Sequence, residues 1–132
     1  RVASGILYAA QNNADVIVLG RSVSGFEEIV RRAMIYASNR GVVLVSPGGD
    51  ATADVDTTPA FPASFAVTNN VVVGAHTAGW ALASFSNFGL TTVDLFAPGV
   101  SVLSTIPSGS FSSMSGTSRA AAHVGGLVAL NK

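Results

Sequence analysis

Ser115-Gly116-Thr117-Ser118 is the segment with the sharpest chemical content, because two hydroxyl residues follow a glycine and lead into the small apolar run Ala120 to Leu130. A helix starting there puts Ser118 at the positive end of its dipole, where backbone N–H groups have no partner inside the helix. A nucleophilic hydroxyl at that place has an oxyanion-binding N–H beside it, and Gly116 lets another backbone approach closely. On residue types alone an ordinary Ser/Thr helix cap, satisfied by hydroxyl-to-backbone bonding, is the simpler account.

The other candidates are weaker. Gly20-Arg21-Ser22-Val23-Ser24-Gly25 lies between a strand and a helix, as a phosphate loop does, but Phe26-Glu27 follows where Lys-Ser or Lys-Thr would be needed. Acids at that helix start repel phosphate. Asp50, Asp54 and Asp56 carry oxygens that suit a hard cation, yet their spacing matches no EF-hand loop, and solvated loop acids are expected. His76 follows an apolar run and His123 lies in the small apolar helix. Neither has a second His or an acid at metal-ligand spacing, so packing or hydrogen bonding is expected of both. With no cysteine, disulfides, zinc knuckles and thiol nucleophiles are excluded.

The elements that must position these residues can be read from periodicity. Val2, Ile6, Ala9 and Ala10 have helical spacing, and Val16-Ile17-Val18-Leu19 is a short buried-type strand. Ser24-Gly25-Phe26-Glu27 is a capping-box pattern that predicts a helix start, with Phe26, Ile29, Val30, Ala33, Met34 and Ala37 on one face and Gly41 as the stop. Val42-Val43-Leu44-Val45 follows as a second strand, so residues 16 to 45 make a strand-helix-strand unit with parallel strands. Residues 46 to 70 read as a long loop that borders a site. Further strands are expected at Val71 to Ala75, at Val93 to Phe96 closed by Ala97-Pro98-Gly99, and at Val102 to Ser104. The last helix, Thr117 to Leu130, is apolar nearly all round and is expected to be enclosed by protein.

The 132 residues are about one domain's worth of chain and too few for two. Seven basic and seven acidic residues give zero formal charge, which argues against nucleic acid or an anionic membrane as partner. Charged residues are 11% against a typical ~25%, and 48% are hydrophobic, a balance that excludes disorder and suggests an interior cut from something larger. Ala120 to Leu130 is too short to span a bilayer. No signal peptide opens the chain, which starts at Arg1 as if inside an element.

The segment Gly116-Thr117-Ser118-Arg119-Ala120-Ala121-Ala122-His123-Val124-Gly125-Gly126 resembles the subtilisin-like serine peptidases, or subtilases, whose nucleophile motif reads Gly-Thr-Ser-Met-Ala-Ala-Pro-His-Val-Ala-Gly. Ser84-Phe85-Ser86-Asn87-Phe88-Gly89, Val93-Asp94-Leu95, Ala97-Pro98-Gly99 and Ser104-Thr105 resemble the family's stretch before the nucleophile. Phe61-Pro62-Ala63 is similar to its Tyr-Pro-Ala segment, and Ala14-Asp15-Val16-Ile17 and Gly41-Val42-Val43 to the strands framing its substrate pocket. The likeness runs in order from about residue 5 to 131.

This resemblance implies a three-layer α/β fold, a mainly parallel sheet with helices on both faces, with residues 1–132 as the C-terminal portion of a subtilase-like catalytic domain. It implies a serine endopeptidase acting by acyl transfer through Ser118. The Asp and His of the triad fall in segments upstream of this region, or on a second chain, so neither His76 nor His123 inherits the role of base. Gly49 stands at the oxyanion-hole position, where the family has Asn, within Ser46-Pro47-Gly48-Gly49 for the family's Ala-Ala-Gly-Asn. Losing one oxyanion donor typically costs ~10²- to 10³-fold in turnover. Gly20, Arg21 and Ser22 replace Ser-Leu-Gly in the segment that pairs with extended substrate, and with Ser46, Pro47 and Gly48 they are the expected substrate-binding residues. Arg119 for Met and Ala122 for Pro place a cation and a freed N–H at the start of the last helix, and an acid from a partner segment is the expected companion of Arg119.

The expected partners are a peptide or protein substrate, the segment or chain supplying Asp and His, and a propeptide. No cofactor is expected; the resemblance leaves calcium open, with no assignable site. A secreted or extracytoplasmic location is what the family implies. Two other readings stand beside the peptidase: a catalytically impaired scaffold that binds peptide or propeptide without turnover, and a folding-only portion. In either case this stretch is expected to be inactive by itself.

Overall fold

The computed structural model describes residues 1–23 and 25–131. Four strands, β1 (Val16–Val18), β2 (Val43–Pro47), β3 (Asn70–His76) and β4 (Leu95–Pro98), form one sheet in the order β1-β2-β3-β4. Every pair in it is parallel, with Val16 opposite Val43, Val45 opposite Val71 and Val73 opposite Leu95. The alternation of side chains along β2 divides the core in two. Leu44 points to a layer made by α1 (Val2–Gln11) and α2 (Glu28–Asn39), where it meets Ile6, Ala10, Met34 and Ala37. Val45 points to the other face, where it joins Val73, Ala75 and Ala97 against Ala120, Ala121 and Val124 of α3 (Thr117–Leu130). The result is the three-layer α/β arrangement expected from the sequence. Each fully buried large side chain, Met34 or Leu44 for example, contributes about 1.5–3 kcal/mol.

Two expectations need correction. Helix α2 starts at Glu28, with Glu27 in extended backbone as its N-cap and no side-chain cap bond. The capping box therefore does not set the helix start; its Ser24 lies outside the described residues. Phe26 stays outside the helix and packs edge-on against Phe61 and Phe65, while Ile29, 70% exposed, turns away from the core. The first turn is held instead by Glu28, which accepts from Arg31 and Arg32; those hydrogen bonds lower its carboxyl pKa to about 2. Within residues 1–132 the last helix is covered on one face, by the sheet, and its other face leaves Leu127 61% exposed, along with Ala122, His123 and Leu130. The strand expected at Val93 to Phe96 lies two residues later, because Asp94 turns back to accept the Val72 N–H at 2.8 Å and the ladder begins at Leu95.

One element is longer than expected and one is new. Strand β5 (Val102–Ile106) pairs antiparallel with β6 (Ser110–Met114) through the turn Pro107-Ser108-Gly109, where Ser108 and Gly109 have φ of 72° and 71°. Serine-rich β6 reads as loop by composition, but a short Pro-Ser-Gly link between two runs is itself a hairpin signal.

Residues 48 to 69, between β2 and β3, are irregular but tied down. Asn87, 2% exposed, accepts the Ala51 and Ala53 N–H groups on Oδ1 and donates through Nδ2 to the Gly48 carbonyl. Asp54 accepts the Asp56 N–H in a local turn. Asp56 accepts from the backbone of Leu90, Thr91 and Thr92 and from the Thr91 hydroxyl. The loop acids are thus structural rather than simply solvated, and with its oxygens occupied Asp56 does not fit a hard cation. Among the described residues no three His, Cys, Asp or Glu side chains form a group that could hold a metal ion.

Hydrogen bonding from Thr92, Thr91 and Leu90 holds the Asp56 carboxyl well below the usual carboxylate range. A depressed folded-state value contributes stability that is complete above the unfolded pKa, about 3.9, and is lost as pH falls below it toward the folded value. Asp56→Asn should therefore melt below the wild type at pH 7, with the gap narrowing from about pH 4 downward; thermal unfolding of both proteins across pH 2 to 7 reads this.

Candidate active site

The loops at the C-terminal ends of β1 and β2 and the start of α3 meet around one cleft of about 440 Å³. Gly20, Arg21 and Ser22 form one wall, Pro47, Gly49, Asp50 and Ala51 the floor, and Thr117 and Ser118 the far side. The structure thus brings six of the sequence-predicted residues together: Gly20, Arg21, Ser22, Pro47, Gly49 and Ser118. Two others stand behind the cleft. Ser46 is fully buried and donates its hydroxyl to the Asn70 Oδ1 at 2.6 Å, and Gly48 donates to the Val73 carbonyl at 2.8 Å.

Each wall has a local cause. The β1–β2 ladder ends where Leu19 donates to the Val45 carbonyl, since the next residue facing β1 is Pro47, which has no N–H. The chain then leaves the sheet, and Gly20, Arg21 and Ser22 make no backbone hydrogen bond among the described residues before Val23 exchanges two with Phe61 at 2.7 Å. This leaves a short run of unpaired backbone facing the cleft. A second hollow of about 330 Å³, lined by Val18, Val23, Val30, Phe61 and Phe65, opens on the same segment.

The start of α3 is held by side chains from other elements. The Thr117 N–H donates to Asp50 Oδ1 at 2.8 Å, and the Thr117 hydroxyl accepts the Gly49 N–H at 3.1 Å. Gly116, at φ 152°, brings Ser118 Oγ and the Asp50 carboxylate so close that a Cβ there would lie 3.2 Å from Asp50 Oδ2. Ser118, second residue of the helix, is half-buried; neither its N–H nor its hydroxyl is bonded among the described residues. A free hydroxyl and a free helix-terminal N–H at the edge of a cleft are what acyl transfer needs of a nucleophile.

Gly49 has φ 106°, and a Cβ on it would collide with the Asn87 amide. Sequence reading marked Asp50 only as a loop acid and Thr117 only as part of the segment before Ser118, and gave Asn87 no role of its own; their partners are 34 to 68 residues away.

The histidines lie elsewhere. His76, 8% exposed at the end of β3, stacks on Trp80 with ring centres 4.8 Å apart, and its Nδ1 is 2.7 Å from the Thr77 carbonyl, in keeping with a packing role. His123 is exposed within residues 1–132, and its Nδ1 is 3.1 Å from the Arg119 carbonyl, in keeping with a hydrogen-bonding role. Neither bonds to Ser118.

A strand-end cleft with a serine at a helix start is the layout of a serine hydrolase on an α/β scaffold. The chain belongs to the subtilase family, whose model matches residues 1–132. It is 42% identical over 129 residues to a thermophilic serine proteinase of Bacillus sp. (strain AK1), covering 98% of this chain and 31% of that protein. Thermitase of Thermoactinomyces vulgaris is 37% identical over 129 residues, with 98% and 44% covered. Among solved structures, a cold adapted subtilisin-like serine proteinase superposes with a TM-score of 0.88 at 34% identity, over 98% of this chain and 46% of that one. The chain thus spans less than half the length of these relatives.

Gly49→Asn would introduce a side chain at a left-handed backbone position already faced by Asn87. The substitution should cost ~1–3 kcal/mol of stability, as other non-glycine residues held in such backbone do, read by denaturant unfolding of the whole protein.

Proposed function

We propose that this chain is the nucleophile-bearing portion of a serine endopeptidase and that Ser118 is its nucleophile. The observation that carries the reading is the unbonded Ser118 hydroxyl beside an unbonded helix-terminal N–H, at the edge of a cleft whose opposite wall is unpaired backbone. An extended peptide would pair with Gly20 to Ser22, as in strand addition, and bring its carbonyl carbon to Ser118 Oγ. The Ser118 oxygen attacks that carbon while its proton passes to an imidazole supplied from outside residues 1–132, oriented by an Asp of the same origin. The carbonyl oxygen gains negative charge at the Ser118 N–H; the amine leaves with the proton, and water then releases the acyl group.

Gly49 gives this oxyanion site no side-chain amide. Its own N–H is held by Thr117, so turnover below that of a two-donor site is expected, by ~10²- to 10³-fold. The same feature supports the second reading, a scaffold that holds peptide or propeptide with little turnover. The chain without its upstream partner segments is expected to be inactive. Location outside the cytoplasm belongs to the proposal as a family-level expectation; no described helix is long and apolar enough to cross a membrane.

A fluorophosphonate probe on the whole protein should label Ser118, located by peptide mass mapping, and Ser118→Ala should abolish labelling. Labelling with slow peptide hydrolysis is the expected combination. Peptide binding with no labelling would move the assignment to the scaffold.

A further inference from the structure

Between Asp94 and Lys132 the sequence has a single Asp, Glu, Lys or Arg: Arg119. That stretch builds β4, the β5–β6 hairpin and α3, so the unit carrying Ser118 has one fixed charge, on the very next residue. Its guanidinium is poorly satisfied. Nη2 reaches the Met114 sulfur at 3.1 Å, Nε is buried without a hydrogen-bond partner, and among the described residues no carboxylate lies within ion-pair distance. The expected acid partner is therefore absent from residues 1–23 and 25–131.

Position makes this cation more exacting. It sits in the first turn of α3, where the helix dipole disfavours positive charge. The nearby titratable groups do not neutralise it: His123, one turn on, faces the Arg119 carbonyl, and Asp50 is engaged with the Thr117 N–H. Of the other internal arginines, Arg31 and Arg32 pair with Glu28 and Arg40 donates to the Ala10 carbonyl, whereas Arg21 is exposed at the cleft and makes no ion pair among the described residues.

We propose that Arg119 is a specificity-determining residue that binds a substrate carboxylate, an Asp or Glu side chain on the leaving-group side of the scissile bond. The inference rests on the peptidase reading of Ser118. The cleft along Gly20 to Ser22 opens on the β1–β2 side of Ser118, while Arg119 reaches toward β6, on the other side. A peptide whose acyl half lies in that cleft passes Ser118 in the direction of Arg119. There it meets the guanidinium, whose Nε is buried and whose terminal nitrogens are the donors for a carboxylate, beside a hairpin with no competing charge.

The test uses the whole protein and peptides identical except for Glu, Gln or Lys at the first residue beyond the scissile bond. The Glu peptide should be cleaved about tenfold more efficiently than the Gln peptide, in kcat/KM, and the Lys peptide least well. That preference should shrink as salt rises. In R119M the Glu-to-Gln ratio should fall to about one, whatever the absolute rate, and R119K should retain part of it. A wild-type ratio near one overturns the proposal without needing any variant to fold. So does a ratio that R119M leaves unchanged while its melting temperature drops, which would assign the guanidinium to an acid elsewhere in the protein. Absence of fluorophosphonate labelling and of cleavage of all three peptides would instead remove the peptidase reading itself, and this inference with it.

Discussion

Two hydrogen bonds at the head of α3 join parts of the chain that lie far apart in sequence: Thr117 N–H to Asp50, and Gly49 N–H to the Thr117 hydroxyl. Each is worth about 1 kcal/mol, little against the core, yet together they fix the register between the end of β2 and the start of the helix. The placement of Ser118 depends on that register. Asp50 satisfies one orphan N–H of the helix and leaves the next, that of Ser118, unbonded at the cleft edge. The loop that presents Asp50 is in turn fixed by Asn87, whose amide bonds Gly48, Ala51 and Ala53. Cap, loop and nucleophile are one connected polar structure laid over two apolar layers.

The layers were legible because they depend on local pattern. Runs such as Val16 to Val18 and Val43 to Val45, with a helix of amphipathic spacing between them, specify parallel strands and one helical face regardless of what lies beyond. The polar connections were not legible in the same way. A hydrogen bond between residues 50 and 117 leaves no periodicity, so the loop acids read as solvated and Asn87 carried no signal of its own. The helix α2 start failed for a related reason: a Ser-x-x-Glu spacing permits a capping box but does not enforce one. Here Phe26 lies before the helix, its ring edge-on to Phe61 and Phe65. Of the site, Ser118 stood out through its glycine and the small residues after it, whereas Ser46 and Gly48 shared a motif with Gly49 and Pro47 but sit behind the cleft. Sequence adjacency in a strand end gives alternating orientations, so half of such a motif must face away.

Gly49 and Asn87 are fitted to each other. With Gly49 at φ 106° the backbone swings its N–H to Thr117, and the Asn87 amide packs where a side chain at 49 would begin. The Asn87 amide lines the cleft, but its nitrogen donates to the Gly48 carbonyl at 2.9 Å. A single substitution at 49 therefore cannot restore a donor without displacing Asn87, and displacing Asn87 releases Ala51 and Ala53.

The field at Ser118 follows from three groups. The start of α3 presents a partial positive charge of about half a unit, the Asp50 carboxylate opposes it, and the Arg119 guanidinium adds to it. A unit charge ~5 Å from a developing oxyanion, at an effective dielectric near 20, acts on it with about 3 kcal/mol, the scale of a lost donor. Asp50 cannot be removed without unbinding the helix cap. Its opposing charge is thus a built-in cost of anchoring α3 through a carboxylate, and a cation on the residue after the nucleophile is the nearest place from which the same helix turn can offset it.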